Sequence, residues 1–110
     1  MTSFEPPTKS ESAVASIIIT SPSEGDSFND GQSISISWDS SEDVGEYVSI
    51  ELFYNDSYVY TLDNYDANDG STNENLPSGS SYDDGYGYRI KIIDYYDSSV
   101  YGYSSYFSIY

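Results

Sequence analysis

The sequence predicts an all-β domain, a sandwich of about seven antiparallel strands, on three observations. Short segments alternate apolar and polar residues with a period of two, as in Ser33–Trp38 (SISISW) and Tyr86–Tyr95 (YGYRIKIIDY). Turn-forming Gly, Pro, Asn and Asp separate these segments at short intervals. No segment places its apolar residues at helical spacing. The length of 110 residues suits one such domain. A net charge of −16 would favour disorder, but 14 Tyr and 4 Phe grouped in the alternating segments give the chain an interior to form.

Residues 1–12 hold Pro6, Pro7 and no periodic pattern, so they read as an arm or linker, and residues 13–110 as the domain. Ala13–Thr20 (AVASIIIT) is the first strand, rich in β-branched residues and ended by a loop containing Pro22, Gly25 and Gly31. In Ser33–Trp38, Ile34, Ile36 and Trp38 share one face and point inward. Val48–Tyr54 repeats the pattern, with Val48, Ile50, Leu52 and Tyr54 on one side and Ser49, Glu51 and Phe53 on the other. Asn55-Asp56 reads as a tight hairpin turn into Ser57–Leu62. From Asp63 to Asp84 the chain is polar, with room for one short strand near Ser71–Leu76. In Tyr86–Tyr95 the inward set is Tyr86, Tyr88, Ile90 and Ile92, opposite Arg89, Lys91, Ile93 and Tyr95. The final strand falls within Tyr103–Tyr110, with Phe107 and Ile109 inward.

Composition excludes several functions. The chain has no Cys and no His, so it carries no disulfide, no thiolate or imidazole metal ligand, no cysteine nucleophile and no Ser-His-Asp triad. Three cations against 19 carboxylates repel phosphate backbones and anionic lipid surfaces, which argues against nucleic acid and membrane insertion. No run approaches the roughly 18 apolar residues that span a bilayer. No targeting segment stands in this chain, so an extracellular or cell-surface location would rest on one outside it.

The segments IIITSPSEGDSFNDGQSISISW, DGSTNENLPSGSSYDDGYGYRIKIID and YGYSSYFSI resemble, in order and spacing, the KRE/KNH-type domain of Ser/Thr-rich, lipid-anchored wall proteins and of secreted microbial proteins. The marks are Ser21-Pro22, Gly25-Asp26, Gly31, Trp38, Gly70, Leu76-Pro77, Tyr88-Arg89-Ile90 and Tyr106-Phe107-Ser108-Ile109, across roughly residues 17–109. The resemblance implies an immunoglobulin-like or fibronectin-III-like sandwich and an extracellular setting. These marks are scaffold residues: Trp38 is large enough to span two sheets, Leu76 closes a core layer, and Tyr88 resembles a tyrosine corner.

Each candidate site also has a plain structural role. The carboxylates fall in polar loops, including Asp83-Asp84, and read as solvated charge rather than as a catalytic pair, so the chain is expected to be no enzyme. Asp63, Asp66 and Asp69 could offer oxygens to Ca²⁺, but the segment misplaces the glycine of an EF-hand loop and reads first as a polar turn; no cofactor is expected. Asn55-Asp56-Ser57 is an N-glycosylation acceptor at the hairpin tip. In a fibronectin-like order, Tyr47, Phe53, Ile93, Tyr95, Tyr106 and Tyr110 share the exterior of one sheet. Apolar patches of that kind mark partner surfaces, although Tyr also favours strands for its own sake. On that face Glu51 is expected to pair with Arg89 or Lys91 across neighbouring strands.

Two functions follow. One is a structural or adhesion module that packs against copies of itself or neighbouring domains through this face. The other is a carbohydrate-binding module in which Tyr rings stack on sugars. A decoration domain on a virus particle is a third reading.

Overall fold

Alternation along the strands decides which side chains meet across the interior, and the computed structural model, which describes residues 15–78 and 84–110, places them in two facing sheets. The arm at residues 1–12, the first two residues of Ala13–Thr20 and Asp83 lie outside the described residues. The strands are β1 (Ile17–Ser21), β2 (Ser27–Phe28), β3 (Ser33–Ser40), β4 (Tyr47–Tyr54), β5 (Ser57–Ala67), β6 (Ser71–Asn75), β7 (Gly85–Asp94), β8 (Asp97–Tyr103) and β9 (Phe107–Ile109). The smaller sheet has the order β1-β3-β6, and the larger runs β2-β9-β7-β4-β5, with β8 beside β7.

The core forms where the inner faces meet. Ile34, Ile36 and Trp38 of β3 face Val48, Ile50 and Leu52 of β4, Tyr88, Ile90 and Ile92 of β7, and Phe107 and Ile109 of β9, all buried, with Leu76 beside them. Tyr88 packs its ring on Tyr54 and Phe107, and Phe28 meets Phe107 edge to face. The Trp38 indole donates to Asn68 Oδ1 at 2.7 Å, which satisfies its one polar atom at the core boundary.

Four expectations need correction. Nine described strands replace about seven, because β2 is only two residues long and β8 (DSSVYGY) is too polar to show an apolar alternation. The sandwich is mixed rather than wholly antiparallel, since β2 pairs with β9 in parallel. β5 extends past Leu62 to Ala67, its polar second half held by pairing with β4 through several register shifts. Tyr86 was expected inward but is 52% exposed, because the register slips between Tyr86 and Tyr88. Gly87 makes that slip possible with φ of +119°, a backbone angle that side chains disfavour.

The expected last strand is also broken. β8 pairs with the second half of β7 and β9 with the first, and Ser104 bridges the gap. Its N–H donates to Ile90 O at 2.8 Å and its hydroxyl accepts from Ile90 N at 2.9 Å, so a side chain replaces a missing ladder partner.

Candidate functional site

Because β4 and β7 turn Ile and Leu inward, their intervening residues must line the outer face of the larger sheet. The register sets Phe53 opposite Arg89, Glu51 opposite Lys91 and Ser49 opposite Ile93. Beside them β8 places Tyr103 opposite Lys91 and Tyr101 opposite Ile93. The result is three groups of aromatic rings drawn from β4, β5, β7, β8 and the connections beside them.

At one end Tyr47 stacks on Tyr65, with ring centroids 4.0 Å apart, and Tyr95 meets Tyr65 edge-on at 4.7 Å. Tyr96 continues the row against Tyr95 and lies so close to Gly45 that a Cβ there would sit 2.4 Å from its ring. In the centre Phe53 meets Tyr58 and Tyr103 edge to face, and Tyr103 meets Tyr101. At the other end Tyr106 approaches Tyr86, whose hydroxyl donates to Glu24.

Both cations among the described residues are threaded through these rings. The Arg89 guanidinium lies 3.8 Å from the centroid of Tyr103 and 4.9 Å from that of Tyr106, and Lys91 Nζ lies 4.4 Å from that of Tyr101. A cation held on ring faces is stabilised without a full share of water. The expected ion pair of Glu51 is replaced by one between Arg89 and Asp56 at 2.8 Å. Asp56 can reach Arg89 because Asn55 and Asp56 both take positive φ, the geometry of a tight hairpin turn that aims the carboxylate back over the face. The same oxygen accepts from the Tyr106 hydroxyl at 2.9 Å, and this bond, more than partial burial, raises the Tyr106 phenol above its ordinary range. The bond to Glu24 does the same for Tyr86, and burial first of all for Tyr65.

Of the six residues named for this face, Tyr47 and Tyr95 fall in the first ring group, Phe53 in the central one and Tyr106 in the last. Ile93 sits half-buried next to Tyr101. Tyr110 lies past the end of β9 and meets none of these rings among the described residues. Tyr65 and Tyr101 were missed, because the segments that carry them read as loop, and Tyr103, at the start of the expected final strand, was not assigned to this face. A hint lay in DNYDA and VYGY, where Tyr recurs among turn formers.

A second cluster bridges the sheets. Asp63, Asp66 and Glu74 bring carboxylate oxygens within 4.8 Å of one another, and Asp69, expected among them, instead accepts from Ser71 N. Glu74 enters because β5 runs on to meet β6. Burial chiefly, with the nearby Asp63 and Asp66 charges, lifts Glu74 to about 7 against a bond from Thr72 at 3.0 Å. Burial and the charges of Asp63 and Asp69 raise Asp66. A proton shared at Glu74 relieves this crowding.

That shift makes a prediction. A carboxyl whose folded pKa exceeds its unfolded one contributes stability in full below the unfolded value, and this is lost as pH rises to about 7. Glu74→Gln should therefore gain on the parent by ~1 kcal/mol between pH 5 and pH 8, after discounting for solvent screening. Urea unfolding at both pH values measures it, and an equal difference at the two would refute the shared proton.

A family profile described as the Kre9/KNH-like N-terminal Ig-like domain matches residues 21–109. The chain belongs to this family. Within the Kre9/KNH-like domain the matched stretch contains β2 to β9, and with them every strand that builds the aromatic face. Among solved structures, one from work on the fibronectin(III)-like modules of Clostridium thermocellum CbhA aligns with 84% of this chain and 93% of its own, at 16% identity and a TM-score of 0.46. No curated protein matches the chain.

Proposed function

We propose that this Kre9/KNH-like domain is a non-catalytic extracellular structural module that assembles with copies of itself or with neighbouring domains through the outer face of the larger sheet. The observation that carries the reading is three groups of rings on one face, around Tyr65, Phe53 and Tyr106, with Arg89 joining the last two and Lys91 held against the central one. Such a face joins broad aromatic area to the chain's scarce positive charge, and Tyr and Arg are the groups that most often anchor protein contacts. Among the described residues the surface has no pocket, so a flat partner suits it better than a substrate. The extracellular setting is supported by the kinship with wall-related domains.

Carbohydrate binding is the alternative, supported by half-exposed Tyr58, Tyr60 and Tyr101. It is the weaker reading, because a sugar needs an uncovered ring face and here Tyr103 is covered by Arg89 and Tyr47 by Tyr65.

Charge decides when copies meet. At −16 they repel, and the Debye length falls from about 30 Å at 0.01 M salt to about 8 Å at 0.15 M, so association should strengthen as salt rises. Sedimentation across a salt series measures this for the parent, for a form lacking residues 1–12, and for Phe53→Ser with Ile93→Ser. The parent is expected to associate and the double variant to remain monomeric. If the parent stays monomeric at high salt and with added Ca²⁺, assembly fails as a reading, and binding on a glycan array would then put carbohydrate first.

A further inference from the structure

Tyr47 and Tyr65 form the most closely stacked ring pair among the described residues, with centroids 4.0 Å apart and planes 11° from parallel. They reach this position from adjacent antiparallel strands, since Tyr47 faces Ala67 and Tyr65 stands two residues before it, on the diagonal that long side chains span. Burial raises the Tyr65 phenol above its ordinary range, the Tyr96 phenol raises it further and the Tyr47 phenol lowers it. Rings stacked at this distance bring carbons of the two phenols close together, the ε carbons that flank each oxygen among them. These carbons, ortho to the oxygen, share the unpaired electron of a tyrosyl radical.

The site is open to an oxidant. Tyr65 is 51% exposed, and Tyr95, which meets it edge-on, and Tyr96, which meets Tyr95, are 47% and 61% exposed. It also lies where a covalent link would have structural effect. β5 is an edge strand held to the sheet by β4, with register shifts along the pairing, and the chain has no cysteine to clip it. A bond between residues 47 and 65 closes the β4–β5 hairpin as a disulfide would.

We propose that Tyr47 and Tyr65 are a site of oxidative phenol coupling, joined by a carbon–carbon bond between ε carbons when a haem peroxidase and hydrogen peroxide act on the chain. Each phenol gives up one electron and one proton, and the two radicals pair to make the bond. The hydrogen on each newly bonded carbon then moves to its oxygen, which restores both phenols. The chain loses two hydrogen atoms in all, and one hydrogen peroxide is reduced to two waters. Water reaches the half-exposed Tyr65 and can take up the departing proton. The site does not depend on assembly, because both rings belong to one chain.

The test uses the full chain, dilute and in low salt where its charge keeps copies apart, with a haem peroxidase and limiting hydrogen peroxide. Cleavage before aspartate separates the two tyrosines, because Asp56 and Asp63 lie between them. The expected product is a monomer lighter by two hydrogens, with dityrosine fluorescence, one linked peptide pair holding Tyr47 and Tyr65, and a raised unfolding midpoint. Tyr65→Phe keeps the stacked ring and should fold as the parent does, yet it should lose the link, whereas Tyr101→Phe should retain it. A link from Tyr65 to Tyr95 or Tyr96, coupling only between chains, undiminished yield in Tyr65→Phe, or no coupling at all would each overturn the proposal.

Discussion

Trp38→Ala should leave the domain close to unfolding. The indole is buried in β3, in one core with Ile36, Val48, Ile50 and Ile92, and its N–H donates to Asn68. Its removal opens a cavity and leaves the Asn68 oxygen with the Ser40 hydroxyl as its remaining donor, and aromatic-to-alanine changes in cores cost about 3–5 kcal/mol. A small domain has only about 5–15 kcal/mol in total. Thermal or urea unfolding should therefore show a large fall in midpoint. Trp38→Phe should recover most of the loss, because its ring refills much of the cavity. A midpoint near that of the parent for the alanine variant would mean that Trp38 is not central to the core.

Gly102→Val is the second large effect, and it has a different cause. β1 crosses so close to β8 that a Cβ on Gly102 would stand 2.0 Å from the carbonyl oxygen of Ile17. A backbone atom cannot rotate away as a side chain can, so β1 must lift off the flank of β8 and uncover Ile17. The expected cost is about 2–4 kcal/mol, at the upper end for overpacking. The variant should also show faster amide exchange in β1, whose bonds to β3 are nearest the disturbance. Gly102→Ala should give a smaller loss of the same kind. Parent-like stability for Gly102→Val would place the two strands further apart than described.

Much of the inner architecture was legible before any coordinates, because burial on one side of a strand imposes a two-residue rhythm that composition cannot hide. Ile34, Ile36 and Trp38, then Val48, Ile50 and Leu52, then Tyr88, Ile90 and Ile92 announce three inward faces in this way. The kinship with the Kre9/KNH-like domain was legible on the same residues, together with Gly31, Gly70 and Pro77. Tyr86 broke the rhythm without notice, because a bulge changes the face of one residue and leaves the pattern of its neighbours intact.

The outer face was harder to read. Tyr47, Phe53 and Tyr95 follow from the inward set by alternation, but Tyr65, Tyr101 and Tyr103 come from segments with no apolar rhythm of their own. Exposed strands need none, since pairing with a neighbour holds them and water accepts whatever their far side carries. The cations behaved likewise. A Glu51 partner was reasonable from register alone, yet ring faces and the turn-borne Asp56 reach Arg89 and Lys91 instead.

The amino-acid order by itself determined the class of fold, the inward residues of three long strands, the hairpin turn at Asn55-Asp56 and an acidic chain without thiol or imidazole chemistry. These are local properties: a period of two, a turn former and a sum of charges are complete within a few residues. Only the tertiary structure decided that Tyr65 stacks on Tyr47, that Arg89 and Lys91 lie among rings, and that Glu74 rather than Asp69 joins Asp63 and Asp66. Each of these depends on which strand lies beside which and in what register, and register is set by the summed packing of both sheets rather than by any one segment.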